Sequence, residues 1–332
     1  MVLQQVDRLE IQILVDNVTD GLSTAPSFVE SEMAYHWRRG MKRLAGRCLC
    51  CAAHGLSCLV TTWRGQTRKT VLFDTGPDSD VFLRNVRLLQ TDMAAVDAIV
   101  LSHGHWDHAG AMTVALDMIR ANDTDRRIPV HLHPGMFRSR AMRAHDGSMR
   151  PFADIPTIAE LEEHGADVRL SREPERLFDG MFSISGEIPR VTSFERGMPG
   201  QFRRTEDGSG WEPDPLLMDE RSMAVHVADK GIVVLSACSH AGIVNVMAHA
   251  QAQFPAVPIH CAMGGFHLSG GNEAIIPETV VALKQFGIAT IAAGHCTGWR
   301  AMAALANAYG DGVVAPLAVG KLFSFGGDRW KE

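Results

Sequence analysis

Short apolar runs, separated by glycine, proline and charge, set the rhythm of this chain. LEIQILVDN (9–17) alternates apolar and polar positions and is rich in branched residues, which predicts a strand. HGLSCLVTTW (54–63), TVLFDTGP (70–77), DAIVLS (97–102), PVHLHP (129–134) and MFSISGEIPR (181–190) predict further strands. MAVHVADKGIVVLSACSH (223–240) predicts two strands around an Asp-Lys-Gly turn. Apolar residues at steps of three and four predict helices over 80–90 and 109–122. Residues 157–170 read as helix then strand, and AGIVNVMAHAQAQF (241–254) as helix. Residues 257–310 continue as strand, helix, strand and helix, and 312–325 predict a last strand.

Two segments break this rhythm. Residues 21–50 form an excursion, part helical. ERGMPGQFRRTEDGSGWEPDP (195–215) is rich in glycine, proline and charge and predicts a long loop, placed to act as a lid. No linker divides the chain, so residues 1–332 are expected to form a single domain: two packed sheets covered by helices, an α+β arrangement.

Composition narrows the function classes. Apolar residues make up 46% and charged residues 21%, which is ordinary for a globular protein. A net charge of −6 supplies no basic field for nucleic acid. No run approaches the ~20 apolar residues of a membrane span, and the first residues lack the pattern of a signal peptide. A cytoplasmic location is expected. Seven cysteines, three of them in RCLCC (Cys48, Cys50, Cys51), read as reduced thiols; Cys58 alone is too little to complete a zinc knuckle.

The chemistry concentrates in AIVLSHGHWDHAGAM (98–112). His103 and His105 stand two apart just past a buried strand, so both imidazoles point to one side and can converge on one ion. Gly104 between them lets the backbone bend. Asp107 and His108 follow as the chain turns into the next helix and aim at a neighbouring point. Imidazole and carboxylate in this order suit two divalent ions: zinc, with manganese or iron(II) as alternatives.

HGHWDH (103–108) resembles the H-x-H-x-D-H motif of the metallo-β-lactamase superfamily, and LFDTGP (72–77) resembles its first motif. The resemblance implies an αβ/βα sandwich of two mixed β-sheets flanked by helices. It implies that Asp74 supports the site without binding metal, and that later strand ends supply further ligands: Cys238 and His240 in LSACSH, and His295 in AAGHCTG. LVDN (14–17), AHGLS (53–57), SGEIPR (185–190), CSHAGIVN (238–245), GGFHL (264–268) and GHCTG (294–298) resemble the branch named for dihydropterin-methyl-ribofuranosylaminobenzene-phosphate synthase. The chain departs from the wider superfamily in lacking the usual bridging aspartate near SACSH, where His240, Cys238 or Asp219 stands in. The expected sets are His103, His105 and His240 for one ion, and Asp107, His108 and His295 for the other.

Asp107 and His267 are the expected catalytic groups. His54 is a candidate to hold a ligand in place, and Arg190, Arg203 and Arg204 to clamp an anionic small-molecule substrate. His131 and His133 alternate on a strand and read as edge histidines facing solvent; His36, His145, His164, His226, His249 and His260 read as ordinary. The leading expectation is a hydrolase that uses metal-activated hydroxide on a small ester, lactone or phosphoester. The branch resemblance implies the alternative, condensation of a pterin diphosphate with an arylamine. A non-catalytic metal- or ligand-binding sensor is the third.

Overall fold

The computed structural model describes residues 3–327. Eight strands form one mixed sheet, in the order Ala166–Leu170, Ile128–Leu132, Ala98–Val100, Thr67–Phe73, Ser57–Arg64, Arg8–Val15, Leu322–Gly326 and Val29–Glu30. Its first four strands run parallel and the rest pair antiparallel. The second sheet is also mixed. It runs Glu175–Leu177, Phe182–Ile184, Met223–Val227, Gly231–Ser236, Ile259–Gly265 and Thr290–Gly294, with Gln5–Val6 alongside Met223–Val227.

The alternation along Arg8–Val15 and its partners explains the layers. Leu9, Ile11, Ile13, Val60, Val71 and Phe73 face Phe182, Met223, Val225, Val233, Leu235 and Met263 of the other sheet, and these residues make the central core. The outer face of the eight-stranded sheet buries Leu72, Ile99 and Val130 under the helices Ser79–Leu88 and Met112–Ile119. The outer face of the second sheet lies under Ile243–Gln253, Ile276–Leu283 and Trp299–Tyr309. The order helix, sheet, sheet, helix is the sandwich expected from the motifs.

Three segments differ from the sequence reading. Residues 195–215 are not one open loop, because Gln201–Arg204 and Trp211–Pro213 pair as a hairpin in a third, antiparallel sheet with Arg140–Arg143 and Met149–Pro151. Polar cross-strand pairs hold this hairpin: Arg203 Nε lies 2.8 Å from Glu212 Oε1, and Arg204 stacks on Trp211. Apolar alternation could not announce it. Within 312–325 only Leu322–Gly326 is strand; Pro316, which has no N–H for a ladder, lies in the irregular part. The excursion contains the helix Glu32–Arg38 and the strand Val29–Glu30, which completes the edge of the large sheet.

Candidate metal centre

Most of the candidate donors leave the carboxyl end of a strand, and Asp107 and His108 follow in the helical turn Trp106–Ala109. Asp16 and Asn17 follow Arg8–Val15, Asp74 follows Thr67–Phe73, and Ser102 to His105 follow Ala98–Val100. Cys238 and His240 follow Gly231–Ser236, His267 follows Ile259–Gly265, and His295 follows Thr290–Gly294. Both sheets thus deliver to one point. Four residues at these strand ends are left-handed without being glycine: Asp74 (φ 60), Ser239 between Cys238 and His240 (φ 56), His267 (φ 46) and His295 (φ 47). Such backbone is held only where its surroundings impose it, and it gathers at functional sites. Gly104 is required by contact, since a Cβ there would run into the Met136 carbonyl.

His103 is the hub. Its ring centroid lies 4.6 Å from His105, 4.4 Å from His108 and 4.8 Å from His240. His105 and His240 are 4.9 Å apart, His108 and His295 4.9 Å, and His240 and His267 4.2 Å. Donor atoms of His103, His105 and His240 all lie within 4.8 Å of one another; so do those of His103, His108 and Cys238, and of Cys238, His240 and His267. Asp107 Oδ2 sits 3.6 Å from His108 Nε2, 3.5 Å from His295 Nε2 and 3.4 Å from Nε2 of the exposed His54.

A surrounding ring of hydrogen bonds turns the imidazoles inward. Asp74 Oδ2 accepts from His108 Nδ1 and from Ser102 Oγ, each at 2.7 Å. Ser102 Oγ, its proton given to Asp74, accepts from His103 Nδ1 at 2.9 Å. Asn17 Oδ1 accepts from His295 Nδ1 at 2.9 Å. The Nε2 atoms of His103, His108 and His295 are therefore the ones that face the centre. Gln201 Oε1 takes the Nε2–H of His105 at 2.7 Å, which leaves Nδ1 inward. This is how outer partners orient metal-binding histidines.

Several inward nitrogens find no protein partner, and His103 Nε2 meets only the Nδ1 of His105, at 3.0 Å. His108 Nε2 and both nitrogens of His240 are buried without a hydrogen-bond partner. Unmatched buried polar atoms are costly, and lone pairs that face one another need a cation between them. The donor set fits a divalent metal. Electrostatics agree. Burial, and then neighbouring imidazoles, hold His103 and His240 well below the usual histidine range; burial and Arg140 hold His105 at about 3; burial keeps His295 at about 4. These rings stay neutral, the form that ligates. At His108 burial also opposes charge, but Asp107 and Asp74 outweigh it and lift the ring to about 9, so positive charge is favoured there. Burial pushes Asp107 up, yet the imidazoles around it win and hold it below the usual carboxylate range.

Several residues act on the centre from behind. Asp219 is spent on structure: its carboxylate accepts from Gly104 N–H at 2.9 Å and from Arg140 at 2.6 Å, which pins the turn between His103 and His105. Glu220 accepts from the N–H groups of His240 and Ala241 at 2.8 and 2.6 Å, and burial pushes it up to about 7. Cys238 has Sγ 3.5 Å from His267 Nδ1, 3.8 Å from His295 Nε2 and 3.1 Å from Cys296 Sγ.

The three arginines are not gathered at the donors. Arg190 donates to the carbonyls of Ile188 and Leu216, Arg203 pairs with Glu212, and Arg204 lies over Trp211. His131 and His133 are not on solvent either. Their strand is interior to the large sheet, and they are buried against Glu175 and Glu187, each at 3.0 Å. Gln201, Ser102 and Glu220 went unnoticed in the sequence, where nothing distinguishes them from loop polar residues.

Comparison with known proteins agrees with this architecture. A family model for a beta-lactamase superfamily domain matches residues 69–170. A Methanocaldococcus jannaschii protein named 7,8-dihydropterin-6-methyl-4-(beta-D-ribofuranosyl)-aminobenzene-5'-phosphate synthase is 31% identical over 250 residues, 75% of this chain and 82% of that protein. An uncharacterized protein of the same organism is 28% identical over 264 residues, 77% of this chain and 88% of its own. Among solved structures, a metal-dependent hydrolase of the beta-lactamase superfamily superposes with a TM-score of 0.69 at 22% identity, covering 96% of this chain and 98% of its own. With the sandwich, the histidine hub and the supporting Asp74 in place, the chain belongs to the metallo-β-lactamase superfamily, in the branch of that synthase.

Proposed function

We propose that this chain is a metal-dependent enzyme that hydrolyses a small ester, lactone or phosphoester. The observation that carries this reading is His240, buried among three other imidazoles, those of His103, His105 and His267, with both ring nitrogens unmatched. His103, His105 and His240 would hold one divalent ion, zinc by donor chemistry, and Asp107, His108 and His295 a second, with Cys238 beside them. Bound metal supplies a Lewis acid and a water acidified to near neutral pH.

The protein groups do the rest. Asp74, Ser102, Asn17 and Gln201 hold the rings of His103, His105, His108 and His295 each in one orientation. Asp107 is held ionised and can receive a proton at Oδ2. His54 Nε2, 3.4 Å away and exposed, carries that proton on to solvent. His267 flanks His240 at the half-buried mouth and can donate to a developing oxyanion. The 201–213 hairpin reaches the centre through Gln201 and serves as the lid. Substrate contacts from Arg203 and Arg204 would require them to leave Glu212 and Trp211.

A second reading follows from the 31% identical relative: a condensation that expels pyrophosphate from a pterin diphosphate, with an arylamine as acceptor. One experiment separates the two. Purified protein with its metal content measured is offered phosphoesters, lactones, and a pterin diphosphate with and without an arylamine. Turnover of simple esters supports hydrolysis. Pyrophosphate release that depends on the amine supports condensation. Full metal occupancy with no turnover in either arm removes both and leaves a sensor.

A further inference from the structure

We propose that Glu32, His36 and Cys50 form a separate, structural site for a divalent transition-metal ion, which staples the 21–50 excursion shut. The helix Glu32–Arg38, capped by the Ser31 side chain, places Glu32 and His36 four residues apart on one face. The chain then passes through the turn Gly46–Cys48 and returns Cys50 to that face, where its N–H donates to Glu32 Oε1 at 2.5 Å. A carboxylate oxygen, an imidazole nitrogen and a thiol sulfur come within 4.8 Å of one another, and all three residues are buried.

A second observation points inward. His36 Nε2 is buried without a hydrogen-bond partner, and it faces Glu32 Oε1 at 3.4 Å, beyond good hydrogen-bond geometry for a bare ion pair. A ring nitrogen, a thiol and a carboxylate that converge away from water make the mixed donor set that zinc accepts, with a water completing four ligands. None of the three belongs to the centre described above. The sequence reading looked for a second cysteine pair to accompany RCLCC. The structure supplies the complement from the helix instead, so the site is invisible to cysteine spacing.

The role follows from position. Residues 39–49 contain one short turn between the helix and the returning limb. Joining His36 to Cys50 through an ion closes that segment as a disulfide would, lowering the entropy of its open forms.

Cobalt(II) reads the site, because a thiolate bound to it adds a sulfur-to-metal absorption in the near ultraviolet. The other centre also holds thiols, so the measurement is made in protein carrying Cys238→Ser and Cys296→Ser. Adding Cys50→Ser or His36→Gln is expected to remove one equivalent of cobalt per chain and to abolish the band. Unchanged cobalt and absorption in either folded variant, or no band before Cys50 is replaced, overturns the site and leaves an ordinary Glu32–His36 ion pair. Should both variants fail to fold, hydrogen exchange in wild-type peptides spanning 31–51 decides. Slower exchange with zinc than after chelation supports the staple, and equal exchange overturns it.

Discussion

Two groups of buried histidines lie at neighbouring strands of this fold and have opposite fates. His131 and His133 each face a glutamate at 3.0 Å, and fully buried Arg221 joins them, donating to the His131 carbonyl at 2.7 Å and the Leu101 carbonyl at 3.0 Å and lying 3.2 Å from Glu175. In that network both imidazoles meet carboxylates, and only Arg221 Nε is left without a partner. His103, His108 and His240 face each other, and three of their ring nitrogens have no partner. Burial alone therefore does not mark a functional histidine. What marks it is a buried ring nitrogen turned inward with nothing in the protein to meet it.

That contrast can be broken on purpose. The largest effect is expected from His240→Ala, which removes a donor from the open cluster: metal content by elemental analysis should fall together with activity, while circular dichroism stays native. Retained metal with lost activity would assign His240 to substrate instead. Asp74→Asn keeps the shape but frees His108 to turn; competition with a chelator should show metal affinity about 10–100-fold weaker. In the carboxylate-paired network, Glu175→Gln should act on another axis. Arg221 loses its carboxylate while buried, and urea unfolding should show a loss of about 1–3 kcal/mol with metal content untouched. A drop in metal there would show that the two clusters are coupled. The smallest effect is expected from Gln201→Leu, which releases the Nε2–H of His105 and should weaken metal binding by no more than about 10-fold, the lower end for an outer partner.

Much of this was legible in the residues. Strand alternation marked the two sheets, and the H-x-H-x-D-H spacing located the hub, because both are local patterns that survive without tertiary context. What stayed hidden was long-range. Gln201 approaches His105 from 96 positions away in a hairpin held by charge pairs, so no periodicity announced it. His131 and His133 sit on a strand whose alternation suggests an edge; only the pairing of 166–170 beyond it places them inside. Asp219 looked like a stand-in ligand, but the carboxylate chooses Gly104 N–H and Arg140, a choice that spacing cannot express.

The strand Leu322–Gly326 lies between Arg8–Val15 and Val29–Glu30, so segments some three hundred positions apart complete one sheet. During synthesis this edge of Arg8–Val15 stays open until Leu322–Gly326 has left the ribosome. Asp16 and Asn17, at the end of that early strand, likewise wait for His295. Nascent protein must therefore shelter a bare, apolar β-edge while some three hundred residues are added, which makes slow emergence or chaperone shortage a direct route to aggregation.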